Sequence, residues 1–150
     1  MLLSERLVRL IQNHSEALSA ALADKIRAHP ELTTLAKYSR PQLQDWCSHQ
    51  IEYLNSSLLT GSKEIKARMN ALGRARFEEN IPLREAVLRI FLVKDAIIEF
   101  VHDQGFPLTA LDLYAQEEVE LRISRFFDAA VYHVVCGYEE AMHEPARRHG

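Results

Sequence analysis

The sequence predicts an all-α fold in a single domain, either globin-like or a helix bundle. Apolar residues recur at steps of three and four along almost the whole chain, which is the spacing of one helix face. Only five glycines and five prolines interrupt the 150 residues, so turns should be few and helices long. No stretch alternates regularly between polar and apolar residues, so no β-sheet is predicted.

Length and charge limit the class of protein. A chain of 150 residues is the size of one domain, and we predict a domain over 1–144 with a disordered tail over 145–150. The net charge of −3 gives no general attraction to nucleic acid or to an anionic membrane. No apolar run approaches the roughly 20 residues of a membrane span, and the N-terminus lacks a signal-peptide core. We therefore expect a cytoplasmic protein with reduced, buried Cys47 and Cys136.

Glycine, proline and capping residues divide the chain into about five predicted helices. The first covers about 4–28 and ends before Pro30, because the residue before a proline avoids helical backbone. The second opens at Ser39 and Gln42, which have the form of a capping box. The third covers about 62–80. Gly73 inside it indicates close approach of another backbone, since glycine costs a helix about 1 kcal/mol relative to alanine.

The last two predicted helices are long. One covers about 82–102 and has an apolar band wide enough for neighbours on more than one side, including Phe91. The other runs from Thr109 to about Met142, and it would extend for about 50 Å if unbroken. A globule of this size does not need so long a helix for its own diameter. We therefore predict that the last two helices form the interface of a homodimer.

Two Glu-x-x-His motifs suggest a metal site, because di-iron carboxylate bundles use a pair of them. They are Glu99 with His102, and Glu140 with His143. Along antiparallel helices, Glu99 lies roughly 9 Å before the intervening turn and Glu140 roughly 50 Å after it. The motifs therefore fall at opposite ends of the domain. We predict no metal site, and a metal-dependent oxidase is the weakest functional alternative.

Two histidines lie on apolar helix faces: His14 in the first helix and His133 in the last. Each is a candidate for sensing a signal or for holding a ligand, and a haem would need such an axial histidine. Neither has a second feature of a haem site beside it. Hydrogen-bonded packing is the competing interpretation of both, and no cofactor is predicted.

Three arginines are candidates for contact with an anion or a partner protein: Arg74, Arg76 and Arg84. Glutamates are interleaved with them, which is typical of an ion-paired helix surface. No phosphate-binding loop, dinucleotide fingerprint or nucleophile motif occurs anywhere in the chain. We predict no catalytic residue and no enzymatic activity.

Two stretches resemble a known family. GRARFEENIPLREAV, from Gly73 to Val87, resembles the central motif of the RsbRD-type N-terminal domain. RFFDAAVY, from Arg125 to Tyr132, and the following GYE are similar to the signature of that family's final helix. The resemblance covers about residues 3–140, with Asn80 where similar sequences often have glycine. Both residue types tolerate turn conformations.

This resemblance implies a non-catalytic bacterial sensory or regulatory domain, dimeric and globin-like without haem. In that family the domain precedes output modules such as a STAS domain or a histidine-kinase core. No such module follows in this sequence. We therefore expect a stand-alone regulator that acts through another signalling protein, of the kinase, STAS or anti-sigma type. The main alternative is a globin-like sensor that binds a small molecule or haem.

Overall fold

The computed structural model describes residues 3–57, 62–104 and 110–144. Within these ranges the protein has six α-helices, one short 3-10 helix and no strand, which confirms the predicted all-α fold. No helix there combines the length and the apolar character that crossing a membrane requires. The helices are α1 (Leu3–Asn13), α2 (Ser15–Ala28), α3 (Arg40–Ser57), α4 (Ser62–Glu78), α5 (Leu83–Gln104) and α6 (Ala110–His143), with the 3-10 helix at Leu35–Lys37. The tail predicted over 145–150 lies outside the described residues.

The first predicted helix is wrong in one respect, because it is two helices that meet at His14. The backbone of His14 leaves helical geometry, at φ −126° and ψ 22°. Its ring Nδ1 donates a hydrogen bond of 3.1 Å to the carbonyl oxygen of Leu10, which in a continuous helix would accept the His14 backbone N–H. That N–H donates instead to Ile11, one residue nearer. The side chain therefore competes with the helix for its acceptor.

The start of α3 is confirmed as a capping box. The backbone N–H of Ser39 donates to Gln42 Oε1 at 2.9 Å, and the N–H of Gln42 donates to Ser39 Oγ at 3.3 Å. This reciprocal pair satisfies backbone donors that the first turn of a helix leaves without partners. Helix α3 therefore begins where its sequence signal places it.

Helix α5 lies at the centre of the domain and contacts α2, α4 and α6. This confirms the several neighbours predicted from its wide apolar band. Ile97 and Val101 are completely buried in the main core, together with Leu22 of α2 and Ile51 of α3. Phe91 departs from the prediction, because 43% of its surface is exposed.

Two glycines bring α4 and α6 into direct backbone contact. A Cβ atom on Gly73 would lie 2.0 Å from the carbonyl oxygen of Val134. One on Gly137 would lie 2.0 Å from the carbonyl oxygen of Asn70. No side chain fits in either gap, so the close approach predicted from Gly73 is confirmed and is reciprocal. The two helices can cross this closely only because neither position carries a Cβ atom.

The turn between α4 and α5 is fastened to α6 beside this crossing. Asn80 has a φ of 62°, and the next N–H, of Ile81, donates to Arg76 O at 3.0 Å. This hydrogen bond closes a Schellman motif that ends α4. The buried hydroxyl of Tyr138 then donates to Ile81 O at 2.6 Å. The Phe77 ring packs against the Tyr138 ring with centroids 5.5 Å apart.

Substituting Gly73 with alanine is expected to destabilise the domain by about 3 kcal/mol or more, because the methyl group would force the two backbones apart. An exposed helical glycine responds in the opposite direction, since alanine favours a helix. Denaturant unfolding monitored by circular dichroism measures the difference. The exposed Ala71 on the same helix supplies the control, because Ala71→Gly should cost only about 1 kcal/mol. Stabilisation by Gly73→Ala would contradict the crossing.

Candidate functional site

A small cavity lies among α3, α4, α5 and α6. Its volume is about 50 Å³, enough for about three to five water molecules. Most of its walls are apolar, and polar groups enter at a few points only. The apolar lining includes Trp46 and Leu54 of α3, Met69 and Leu72 of α4, Val93 of α5, and Phe126, Phe127 and Val134 of α6.

Arg89 of α5 lines this cavity and is the most unusual residue of the site. Only 5% of its surface is exposed. Its Nε and Nη2 atoms are buried and make no hydrogen bond to any residue that the structure describes. The guanidinium carbon lies 5.5 Å from the centre of the Trp46 ring, within the range of a cation–π interaction. A ring face attracts the cation but does not satisfy its N–H donors.

Glu85, one turn earlier in α5, has the spacing of a helical ion pair with Arg89 but is used elsewhere. It is 2% exposed, and its carboxylate accepts hydrogen bonds from the residues before the 3-10 helix. Thr33 donates to Oε1 from its backbone N–H and its hydroxyl, both at 2.7 Å. Thr34 donates to Oε2 from its hydroxyl at 2.6 Å, and its N–H lies 3.4 Å from Oε1. Four neutral donors therefore hold this carboxylate.

The ionisation of these two buried groups follows from their surroundings. Burial raises the pKa of Glu85, but the hydrogen bonds from Thr34 and Thr33 outweigh it, so the pKa falls below its ordinary value of 4.5. Burial lowers the pKa of Arg89 to about 10, with a further contribution from the positive charge of Arg76. The negative charges of Glu79 and Glu85 act in the opposite direction, but neither carboxylate makes a hydrogen bond to Nε or Nη2. Arg89 is therefore a buried cation at neutral pH.

Arg76 of α4 also lines the cavity. Its side chain is 14% exposed, and its Nη1 atom forms an ion pair of 2.5 Å with Glu79 Oε1. Two guanidinium groups therefore adjoin one small apolar space. Arg76 has an acidic partner at the surface, whereas Arg89 does not.

The other two predicted contact arginines lie elsewhere. Arg74 bridges α4 to the end of α6, through ion pairs with Glu140 at 3.1 Å and Glu144 at 2.5 Å. Arg84 is exposed near the start of α5. The structure thus brings Arg76, but neither Arg74 nor Arg84, to the cavity.

Neither candidate histidine lines the cavity. The His14 ring lies at the α1–α2 junction, 5.3 Å from the Phe100 ring. His133 is half-buried on α6, and its ring packs edge-on against Tyr132 at 5.3 Å. The cavity walls therefore offer no histidine to a haem, and 50 Å³ is far smaller than a porphyrin. Haem does not fit this site.

The glutamates of the two Glu-x-x-His motifs are held by cations. Glu99 forms an ion pair of 2.6 Å with Lys25, and Glu140 pairs with Arg74. No group of three potential metal-binding side chains converges among the side chains that the structure describes. These carboxylates therefore support the helix packing.

The two cysteines are free thiols in different surroundings. Cys47 is completely buried in the core, as predicted, and burial raises its pKa to about 12. Cys136 is half-buried, which is less than predicted. A neutral, enclosed thiol such as Cys47 is a packing residue and a poor nucleophile.

The sequence reading missed Arg89 and Glu85, which are the buried charges of the site. A signal for Arg89 was present, because it lies three residues after Ala86 and four before Val93, on the apolar face of α5. A cation at such a position is rarely buried without a partner. For Glu85 the signal is weaker, since its acceptor role depends on a loop about 50 residues away.

Replacing Glu85 with glutamine should lower the free energy of unfolding at pH 7 by about 2 kcal/mol, because an amide NH₂ would face a threonine donor. Since folding lowers the pKa of Glu85, its ionised form stabilises the fold above pH 4.5, and this contribution is lost as pH falls through the folded-state value. The difference in the free energy of unfolding between the parent and the variant should therefore become smaller in acid. Urea unfolding at several pH values measures it.

The exposed Glu52 supplies the control for that experiment. Glu52→Gln should change the free energy of unfolding by no more than about 0.5 kcal/mol at any pH. If the loss of unfolding free energy caused by Glu85→Gln stays constant from neutral pH into acid, the assigned role of the carboxylate is contradicted.

Comparison with known proteins gives one match. No curated protein and no solved structure matches the chain. The model of the family described as "RsbT co-antagonist protein rsbRD N-terminal domain" matches residues 3–150, which includes the segment beyond the described residues. This confirms the resemblance seen at the α4–α5 turn and in α6. The chain belongs to the rsbRD N-terminal domain family, a family of regulatory signalling domains.

Proposed function

We propose that this chain is a non-catalytic bacterial signalling domain that works in the cytoplasm by contacting another protein. The observation that carries this proposal is the family match, which spans 148 of the 150 residues, from 3 to 150. The family is described as the N-terminal domain of an RsbT co-antagonist protein, and co-antagonism is a role exerted on another protein. A kinase, STAS or anti-sigma type of protein is the corresponding partner class. The two free cysteines are consistent with a reducing compartment.

The proposal includes a homodimer formed by the outward face of α6. This helix has 34 residues and is therefore about 51 Å long, more than a compact domain of this size needs. Three large apolar residues on it are exposed: Leu121 at 49%, Tyr132 at 65% and Met142 at 46%. Steps of 11 and 10 residues place them within an arc of about 80° on the helix. They form an apolar stripe about 32 Å long.

Charges on the same side of the helix favour an antiparallel pair. Arg125 and Glu139 are both exposed, and both lie seven residues from Tyr132, on opposite sides of it. If two copies of α6 cross antiparallel at Tyr132, each Arg125 faces Glu139 of the other copy, and Leu121 faces Met142. A parallel pair would oppose like charges instead. A two-fold axis gives each such contact twice.

Charge exchange tests this arrangement. We expect the parent chain to be a dimer by size-exclusion chromatography with light scattering. Arg125→Glu and Glu139→Arg should each weaken the dimer, because each places like charges opposite one another twice. The double variant should restore it. Lys63→Glu, at an exposed position of α4, is the matched control and should leave the dimer intact. A monomeric parent chain, or a double variant as weak as the single ones, would rule out this interface.

Contact with a signalling partner is tested separately. Purified kinase, STAS and anti-sigma proteins from the same genome are titrated against the immobilised chain by biolayer interferometry. We expect saturable binding by one of the three classes. Absence of binding by all of them would contradict signalling through these partners, whatever the oligomeric state.

A further inference from the structure

We propose that the cavity among α3, α4, α5 and α6 binds a small amphipathic anion, a carboxylate on a compact apolar body, with Arg89 receiving the carboxylate. This inference goes beyond the proposed function, because it concerns an internal ligand and not a protein partner. It holds whether or not the domain dimerises.

The unpartnered atoms of Arg89 have the geometry that a carboxylate requires. Nε and Nη2 form one edge of the planar guanidinium, and their two N–H bonds run parallel. Two carboxylate oxygens bind such an edge as a bidentate pair. Both atoms are buried and lack a partner among the described residues, while the residue as a whole is 95% enclosed, being 5% exposed. This unfilled bidentate donor pair belongs to a residue that lines the cavity.

The electrostatics of the site favour an anion. An unpaired buried charge destabilises a protein by several kcal/mol. The nearest acidic candidate on the same helix, Glu85, is held by Thr33 and Thr34. Arg76 adds a second positive charge at the same cavity, and its charge is felt at Arg89. A bound anion would be attracted by both guanidinium groups and would neutralise the unpaired positive charge of Arg89.

Apart from Gln50 and Tyr53, the rest of the lining favours an apolar body on that anion. Met69, Leu72, Phe126 and Phe127 contribute hydrocarbon or ring surface and offer no donors to a compact inorganic ion. The volume of about 50 Å³ suits a short acid of about five heavy atoms and excludes a ring or a long chain without rearrangement. Ligand sites of this kind combine apolar walls with a small number of placed polar groups.

The chain carries a built-in reporter of this site. It has a single tryptophan, Trp46, which lines the cavity and lies 5.5 Å from the Arg89 guanidinium carbon. A ligand that binds Arg89 changes the charge and the polarity beside this ring. Tryptophan fluorescence therefore responds to occupation of the cavity.

The test is a fluorescence titration of the full chain with propionate, which does not absorb in the tryptophan range. Its neutral isostere, propionamide, is the matched control ligand, and sodium phosphate is the inorganic control. We expect a saturable response to the carboxylate. Because the amide lacks the charge, it should bind at least about tenfold more weakly. Phosphate should give no saturable response.

Two variants locate the binding. Arg89→Met should abolish the response to the carboxylate and raise the melting temperature without ligand, because methionine fills the site without a buried charge. Arg84→Met removes an exposed arginine from the same helix and should retain the response. Far-UV circular dichroism establishes that both variants are folded.

The proposal would be overturned by equal affinity for the carboxylate and the amide, or by a full response in Arg89→Met. It would also be overturned if the carboxylate did not saturate up to about 10 mM, an affinity of only about 3 kcal/mol. A phosphate response as strong as that to the carboxylate would also overturn it, by showing simple anion attraction. The comparison of the two ligands on the parent chain decides the matter even if Arg89→Met does not fold.

Discussion

The contact between the backbones of α4 and α6 determines much of the rest of the domain. Gly73 and Gly137 each occupy a gap in which a Cβ atom would lie 2.0 Å from a carbonyl oxygen. This approach brings Tyr138 within hydrogen-bond distance of Ile81, in the turn that leads into α5. The start of α5, and with it the position of Arg89, is therefore set by a crossing that only glycine permits.

The second constraint is that only one of the two buried charges on α5 has its hydrogen-bonding groups satisfied. Glu85 has more donors than a single ion pair would supply, and all of them are neutral. Arg89 has an aromatic face and a neighbouring cation. If the two residues paired with each other, their charges would neutralise one another and Arg89 would leave no unpaired charge at the cavity. The threonines before the 3-10 helix prevent that pairing, and a positive charge is left facing an apolar space.

Local signals in the sequence predicted what is locally determined. The capping box of Ser39 and Gln42 correctly predicted the start of α3. Gly73 correctly predicted a close backbone contact, although the sequence did not identify the helix that makes it. The break at His14 was not predictable from periodicity, because the apolar stripe continues through it and a single side-chain hydrogen bond decides the geometry. The burial of Arg89 depends on four helices brought together by long-range packing. Helical spacing places Arg89, unlike the exposed Arg84, on the apolar face of α5, but it does not reveal that the guanidinium is buried without an ion pair.

One turn of α6 belongs to two environments. Ala130 and Val134 line the cavity, while Tyr132, between them in sequence, points outward with 65% of its surface exposed. A helical turn is stiff, so it moves as a unit, and a displacement on its inner side is carried to its outer side. Thermodynamic linkage makes the effect mutual. A ligand in the cavity changes the free energy of binding at the outer surface of α6 by the same amount as binding there changes the free energy of ligand binding. A ligand in the cavity would in this way alter the outward surface of α6.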